Sequence, residues 1–241
     1  MASEYFDFKQ FRIWHNQVAM KVGTDAVVLA CLVKLTEQAK TILDIGTGSG
    51  IIALMLAQRD ANAQITAIEI NALAAQQAQL NFEQSKFAKQ LFCKHISLQD
   101  YEQIASQKFD LIVSNPPFFE QQKNMSIANK ARSLARQDAA LPFIDLAKSV
   151  SILLKPQGSF WLILPVQEAA VFYKEAKVFG LNLQYQIDII PKPNKVANRL
   201  VQCYQFSDNT LVQTELILKN EEGLPSSNYI NLSREFYLRM D

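Results

Sequence analysis

The sequence predicts an α/β fold: a mostly parallel sheet with helices on both faces and an antiparallel C-terminal edge. Three observations carry this. Between residues 41 and 180, short apolar runs bounded by turn residues alternate with longer stretches of helical period. Such alternation needs crossover helices, which cover both faces of a parallel sheet. Glycines cluster where the first of these strands hands over to a helix, and beyond residue 181 strand-like runs follow one another with no helix between them.

In chain order, residues 25–36 (DAVVLACLVKLT) form an apolar helix with Thr24 or Asp25 as N-cap. Thr41–Ile45 is a buried strand. Ser49–Arg59 is a helix that turns Ile51, Ile52, Leu54, Met55 and Leu56 inward. Gln64–Ile68 is a strand ending at Glu69, Asn71–Glu83 a helix, Leu91–His95 a weaker strand, and Phe109–Ser114 a strand stopped by Asn115-Pro116-Pro117. Pro142–Leu154 is a helix with proline in its first turn. Ser159–Leu164 and Gln167–Phe179 are the next strand and helix. The tail holds strands at Gln184–Ile190, Leu200–Phe206 and Leu211–Leu218, and a last helix at Tyr229–Met240.

At 241 residues with 49% hydrophobic content, one domain with embellishments is expected: an N-terminal segment 1–40, a core 41–180, and C-terminal strands and helix 181–241. A formal net charge of +1 supplies no global field to recruit nucleic acid or anionic membrane, so any such binding must be local. Cys31, Cys93 and Cys203 are far apart and form no C-x-x-C pair, and the two histidines are His15 and His95. Neither structural zinc nor a disulfide framework is expected. The N-terminus lacks a signal-peptide apolar core and no apolar run approaches a bilayer span, so a cytoplasmic protein is expected.

Three unusual pieces of sequence fall at strand carboxyl ends, where ligands of such sheets bind. The first is Asp44-Ile45-Gly46-Thr47-Gly48-Ser49-Gly50, which holds three of the chain's seven glycines. Such a loop turns tightly, lets backbone approach a ligand, and opens onto a helix N-terminus. A dinucleotide fingerprint would need glycine at position 51, where Ile51 stands. The D-x-G-x-G-x-G spacing instead resembles motif I of class I S-adenosylmethionine methyltransferases, in which the first acid, here Asp44, lies near the methionine amino group. Gly46, Gly48 and Gly50 are then candidate cofactor contacts.

The second is Glu69. A carboxylate ending the next strand can accept hydrogen bonds from both ribose hydroxyls, with Ile70 beside it. A solvated glutamate would look the same in isolation, and the upstream glycine loop favours the ribose reading.

The third is Asn115-Pro116-Pro117-Phe118. Two prolines remove two backbone donors and stiffen the turn. The exocyclic amine of adenine, or a glutamine amide, delocalises its lone pair and is a poor nucleophile. The Asn115 side-chain oxygen and the Pro116 carbonyl can grip both N–H bonds and aim the lone pair at a sulfonium methyl. Phe118 would stack on the flat substrate. Such a transfer needs neither a metal nor a covalent intermediate. The glycine loop and this tetrapeptide together resemble motifs I and IV of amino-methyltransferases with [DNS]-P-P-[YFW].

The resemblance extends over nearly the whole chain. Phe8-Lys9-Gln10-Phe11-Arg12-Ile13, Ala19-Met20-Lys21-Val22-Gly23-Thr24-Asp25, and Pro191-Lys192-Pro193 with Asn198-Arg199 are similar to the bacterial tRNA1(Val) adenine-N6 methyltransferase family. It implies a Rossmann-like class I fold and S-adenosylmethionine-dependent methylation of adenosine 37, beside the anticodon of a valine tRNA. It also implies that the stretch from Lys21 through Thr24 to Asp25 covers the cofactor. After the strand Leu91–His95, an acid often contacts the cofactor adenine in this family. Here Ser97 or Asp100 could serve, with Leu98 between them.

RNA needs local positive charge. Lys123, Lys130, Arg132 and Arg136 follow the tetrapeptide against the single acid Glu120, and Lys192, Lys195 and Arg199 form a run free of acids. Both patches are predicted near strand carboxyl ends, which favours RNA over scattered surface charge. His15 and His95 are expected to be structural or solvated. The expected partner is a tRNA, with no membrane, metal or obligate protein partner. Three rivals remain. A protein glutamine-N5 or guanine-N2 RNA methyltransferase shares the tetrapeptide but is expected to carry a further domain. An NAD(P) oxidoreductase would need glycine at 51 and a proton-handling residue. A non-catalytic RNA-binding module would not need the intact motifs.

Overall fold

A computed structural model describes residues 4–18, 21–36, 40–117 and 141–239. Ten strands and seven α-helices are seen among them. An antiparallel pair, β1 (Tyr5–Asp7) and β2 (Arg12–Trp14), precedes α1 (Thr24–Leu32). Then come β3 (Thr41–Ile45), α2 (Ile51–Arg59), β4 (Gln64–Glu69), α3 (Ala72–Glu83), β5 (Leu91–His95), α4 (Leu98–Ile104) and β6 (Phe109–Ser114). After residue 140 follow α5 (Phe143–Leu153), β7 (Leu154–Pro165), α6 (Val166–Val178), β8 (Asn182–Ile190), β9 (Arg199–Gln205), β10 (Val212–Ile217) and α7 (Ser227–Ser233).

The large sheet has eight strands in the order β10-β8-β9-β7-β6-β3-β4-β5. All neighbours are parallel except where β9 meets β7 and β8. The expected mostly parallel α/β sheet is therefore present. Its antiparallel strand is β9, held inside the C-terminal half, while the outermost strand β10 runs parallel to β8. Strand alternation divides the core between the two faces. Ile42, Leu111 and Val113 pack with α1 and α2 on one face, and Leu43, Ile45 and Ile112 with α5 and α6 on the other.

Several boundaries differ from the sequence expectation, each for a local reason. Neither Thr24 nor Asp25 caps α1. Gly23 is the N-cap without a side-chain bond, and Asp25 instead pairs with Arg199 at 3.0 Å. Helix α2 starts at Ile51 because Gly50 is left-handed at φ 86°. Strand β7 begins at Leu154, which pairs with Phe109 across a register shift. Helix α4 was not anticipated. Ser97 caps it by accepting from the Asp100 N–H at 3.0 Å. The last helix is shorter than expected, and Tyr237 beyond it bridges back to Phe8. No helix among the described residues is long and apolar enough to cross a membrane.

Candidate active site

The carboxyl ends of β3, β4 and β6 are adjacent, with β3 in the middle. Chain leaving β3 enters the glycine loop, where Gly46, Gly48 and Gly50 have φ of 70°, 58° and 86°. An L side chain would be strained at each. Gly50 has a second reason to lack one: a Cβ there would collide with the Phe82 ring. The loop is tied down by Gly46 and Thr47 amides donating to Ile68 O at 2.9 and 3.1 Å, and by Gly50 N–H donating to Thr47 O at 2.9 Å.

Asp44 is fully buried. Its Oδ2 accepts from the Thr47 hydroxyl at 2.5 Å, while Oδ1 is buried with no partner among the described residues. Burial pushes its carboxyl up to about 7, the Thr47 hydrogen bond opposes this, and the nearby Glu69 charge adds to it. A buried carboxylate with an empty acceptor position is a place for a cationic ligand group.

Glu69 is half-buried and bifunctional. Its Oε2 accepts from Gly48 N–H at 3.0 Å and its Oε1 from Asn71 N–H at 2.9 Å. Each oxygen keeps lone-pair capacity for a diol. Ile70 follows, 57% exposed, and Leu73 in the first turn of α3 is 58% exposed, so apolar surface flanks the carboxylate. The His95 ring Nε2 lies 3.1 Å from Ile70 O, a structural contact.

The third component enters from β6. Ile45 pairs with Ser114, and the Ser114 hydroxyl donates to Ile45 O at 3.0 Å. This register makes Asn115 leave β6 beside the point where Gly46 leaves β3. Pro116 is buried and Pro117 exposed. Asn115 Oδ1 is buried with no partner among the described residues, an acceptor awaiting a donor.

Other expected contacts fall differently. Ser97 and Asp100 bond each other, hydroxyl to carboxylate at 2.6 Å, so both side chains serve the α4 cap. The Leu98 side chain is buried in the core, so any contact it offers is through its backbone. Lys21 and Thr24 are exposed just before and at the start of α1. Lys192 and Lys195 are exposed in the β8–β9 turn. That turn shares the sheet edge of the Asn115 turn, because Arg199 opposite Pro165 marks the end of β7. Arg199 itself is engaged by Asp25. Phe118, Lys123, Lys130, Arg132 and Arg136 lie outside the described residues.

Sequence reading missed Asn81 in α3, 1% exposed, whose side chain bonds the glycine loop at Ser49 O at 2.8 Å. An asparagine on the inward face of a helix that follows an acid-ended strand was the available signal.

The residues fit S-adenosylmethionine, the donor that the motifs imply. Asp44 Oδ1 would face the cationic methionine end, Glu69 the ribose hydroxyls, and the exposed face of Ile70 the adenine. Among the described residues no group of three His, Cys, Asp or Glu side chains is placed to hold a metal ion.

Comparison with known proteins agrees with this fold. Residues 19–168 match the methyltransferase small domain family. The structure resembles a predicted O-methyltransferase from Agrobacterium tumefaciens, with a TM-score of 0.70 and 19% identity, over 88% of this chain and 96% of that one. At that identity the likeness shows the fold. Two curated relatives are named tRNA1(Val) (adenine(37)-N6)-methyltransferase. The one from Phocaeicola vulgatus is 39% identical along 100% of both chains, and the one from Actinobacillus succinogenes 38% identical along 99% of both. Similarity of this depth, running end to end, means that the chain belongs to the tRNA1(Val) (adenine(37)-N6)-methyltransferase family.

Proposed function

We propose that this protein transfers a methyl group from S-adenosylmethionine to N6 of adenosine 37 in a tRNA of the valine type. The observation that carries this reading is the buried Asn115 Oδ1 at the end of β6, without a partner among the described residues, one strand from the buried Asp44 Oδ1, which likewise has none among them. One orphan acceptor suits an amine substrate and the other a cationic cofactor end. Family membership makes the substrate a tRNA adenine, and the relatives' names supply the position.

When bound, S-adenosylmethionine supplies an electrophilic methyl on a sulfonium sulfur. Asp44 meets the methionine ammonium as a carboxylate, and Glu69 accepts from the ribose hydroxyls while still bracing Gly48. Asn115 Oδ1 and the Pro116 carbonyl accept the two N–H bonds of adenine N6 and turn its lone pair out of conjugation with the ring. Phe118 stacks on the extruded base. N6 would take the methyl as the bond from carbon to the sulfonium sulfur breaks, with S-adenosylhomocysteine as the neutral leaving group, and the nitrogen then sheds one proton to solvent. Lys192 and Lys195, on the same sheet edge, hold tRNA phosphates. Lys123, Lys130, Arg132 and Arg136, which follow Asn115 in sequence, supply further positive charge for the same polyanion. Arg199 acts through its pair with Asp25, which steadies the start of α1.

The test is transfer of tritiated methyl from S-adenosylmethionine to total tRNA, followed by nucleoside analysis. N6-methyladenosine at position 37 is the expected product. Label found in protein glutamine, or as N2-methylguanosine, would replace this reading with one of the rivals.

A further inference from the structure

Helix α3 grips the glycine loop with two consecutive residues. The Phe82 ring packs where a Gly50 side chain would be, and Asn81 Nδ2 donates to Ser49 O at 2.8 Å. Asn81 also meets the N-terminal strand pair. It accepts from Trp14 N–H at 3.0 Å and donates to Trp14 O at 2.9 Å. The amide therefore spends both N–H bonds and its oxygen on two backbone segments 35 positions apart in sequence, Trp14 and Ser49. It is 1% exposed, so water does not compete for these bonds. The β1–β2 pair is itself built on an aromatic cluster. Tyr5 and Trp14 rings lie 5.0 Å apart, Arg12 lies over Tyr5, and Phe8 packs on Tyr237. Through Asn81 this strand pair is joined to the loop.

We infer that Asn81 is a positioning residue for the cofactor, coupling the seat of the N-terminal strand pair to the shape of the glycine loop. The inference rests on the reading that this loop binds S-adenosylmethionine. Every main-chain torsion from Gly46 to Gly50 must be held for the loop to receive a ligand, since three of them are in the left-handed region. The Ser49 carbonyl is gripped from outside the β3–β4 unit through Asn81. Coupling of this kind is reciprocal. A ligand that tightens the loop must also tighten Trp14 and its strand, and loosening the strand pair must weaken the ligand.

Two measurements test it. The first is calorimetric binding of S-adenosylmethionine, without tRNA, to the full-length wild type and to Asn81→Ala. Binding weaker by about tenfold is expected, with kcat at saturating cofactor kept within about twofold, because the variant changes cofactor capture and leaves Asn115 in place. The second is amide hydrogen exchange of residues 12–15 in wild type, with and without saturating cofactor. Slower exchange with cofactor is expected, and loss of that response in Asn81→Ala. Cofactor affinity within twofold of wild type in a folded variant overturns the inference. So does wild-type exchange at residues 12–15 that ignores the cofactor, a result that stands even if Asn81→Ala does not fold. If the wild type binds no S-adenosylmethionine, the functional reading fails and takes this inference with it. If it binds and either arm comes out flat, the inference alone fails.

Discussion

At the residue scale the proposed chemistry turns on Asp44 Oδ1 and Asn115 Oδ1, two of the buried oxygens that have no partner among the described residues. Burying an acceptor without a donor costs about 1–3 kcal/mol, so each is a cost that a ligand can offset. Asn115→Ala should lower the rate of methyl transfer by about 10²–10³-fold, the loss typical of removing one group that steers developing charge. Its cofactor affinity, read by calorimetry, should change little. A variant with wild-type turnover would remove Asn115 from the mechanism. Asp44 makes a prediction with a definite sign. The folded carboxyl keeps its proton up to about pH 7, whereas the unfolded chain releases it near 3.8. Between those values the native state holds the extra proton, so Asp44 costs the cofactor-free protein increasing stability as pH rises through that window. Asp44→Asn should then be more stable than wild type at pH 8, by up to about 4 kcal/mol, and no more stable near pH 4. Thermal melts at the two pH values check this. Cofactor binding to wild type should strengthen as pH rises toward 7, and this dependence should vanish in the variant, whose affinity is weaker throughout.

The site is a meeting of element ends. Strands β3, β4 and β6 stop side by side, and α3 closes the loop from behind with Asn81 and Phe82. The fit of Gly50 against Phe82 is the tightest point of that closure. Gly50→Ala adds a methyl against an aromatic ring in a backbone conformation that disfavours it. A loss of about 2–4 kcal/mol is expected in urea denaturation, from overpacking and left-handed strain together. Gly48→Ala meets open space on its Cβ side and carries only the torsional strain, so it should lose about 1 kcal/mol. A reversal of that ranking would show that the ring yields and the loop does not depend on α3. Helix α4 shows how an element can be hidden. Its seven residues are too short for a helical period to register, and its cap pair, Ser97 and Asp100, resembles a polar binding site in sequence.

Over the whole molecule, a near-neutral chain must bind a polyanion with local charge. The β8–β9 turn brings Lys192 and Lys195 to the edge that carries Asn115, although they lie 77 and 80 positions away in sequence. Replacing both lysines with alanine should raise KM for tRNA and flatten its salt dependence by up to two charges' worth of slope. S-adenosylmethionine affinity should be untouched. An unchanged salt slope would place the RNA elsewhere. Much of the architecture was legible beforehand. Thr41–Ile45, Leu91–His95 and Phe109–Ser114 match their strands end for end. The first and last are central strands buried on both faces and so read as nearly continuous apolar runs, whereas Leu91–His95 is a largely exposed edge strand with a weaker apolar signal. The placement of the glycine loop, Glu69 and Asn115 at adjacent strand carboxyl ends was legible too, since left-handed torsions favour glycine and Asn-Pro-Pro stops a strand. The partners were not legible. Sequence alone determined which groups the chain can offer at its strand ends. Tertiary structure alone decided that Arg199 answers Asp25, that Asn81 joins Trp14 to Ser49, and that β9 lies inside the sheet. Contacts between distant segments are set by packing and strand register, and neither leaves a periodic trace in the local sequence.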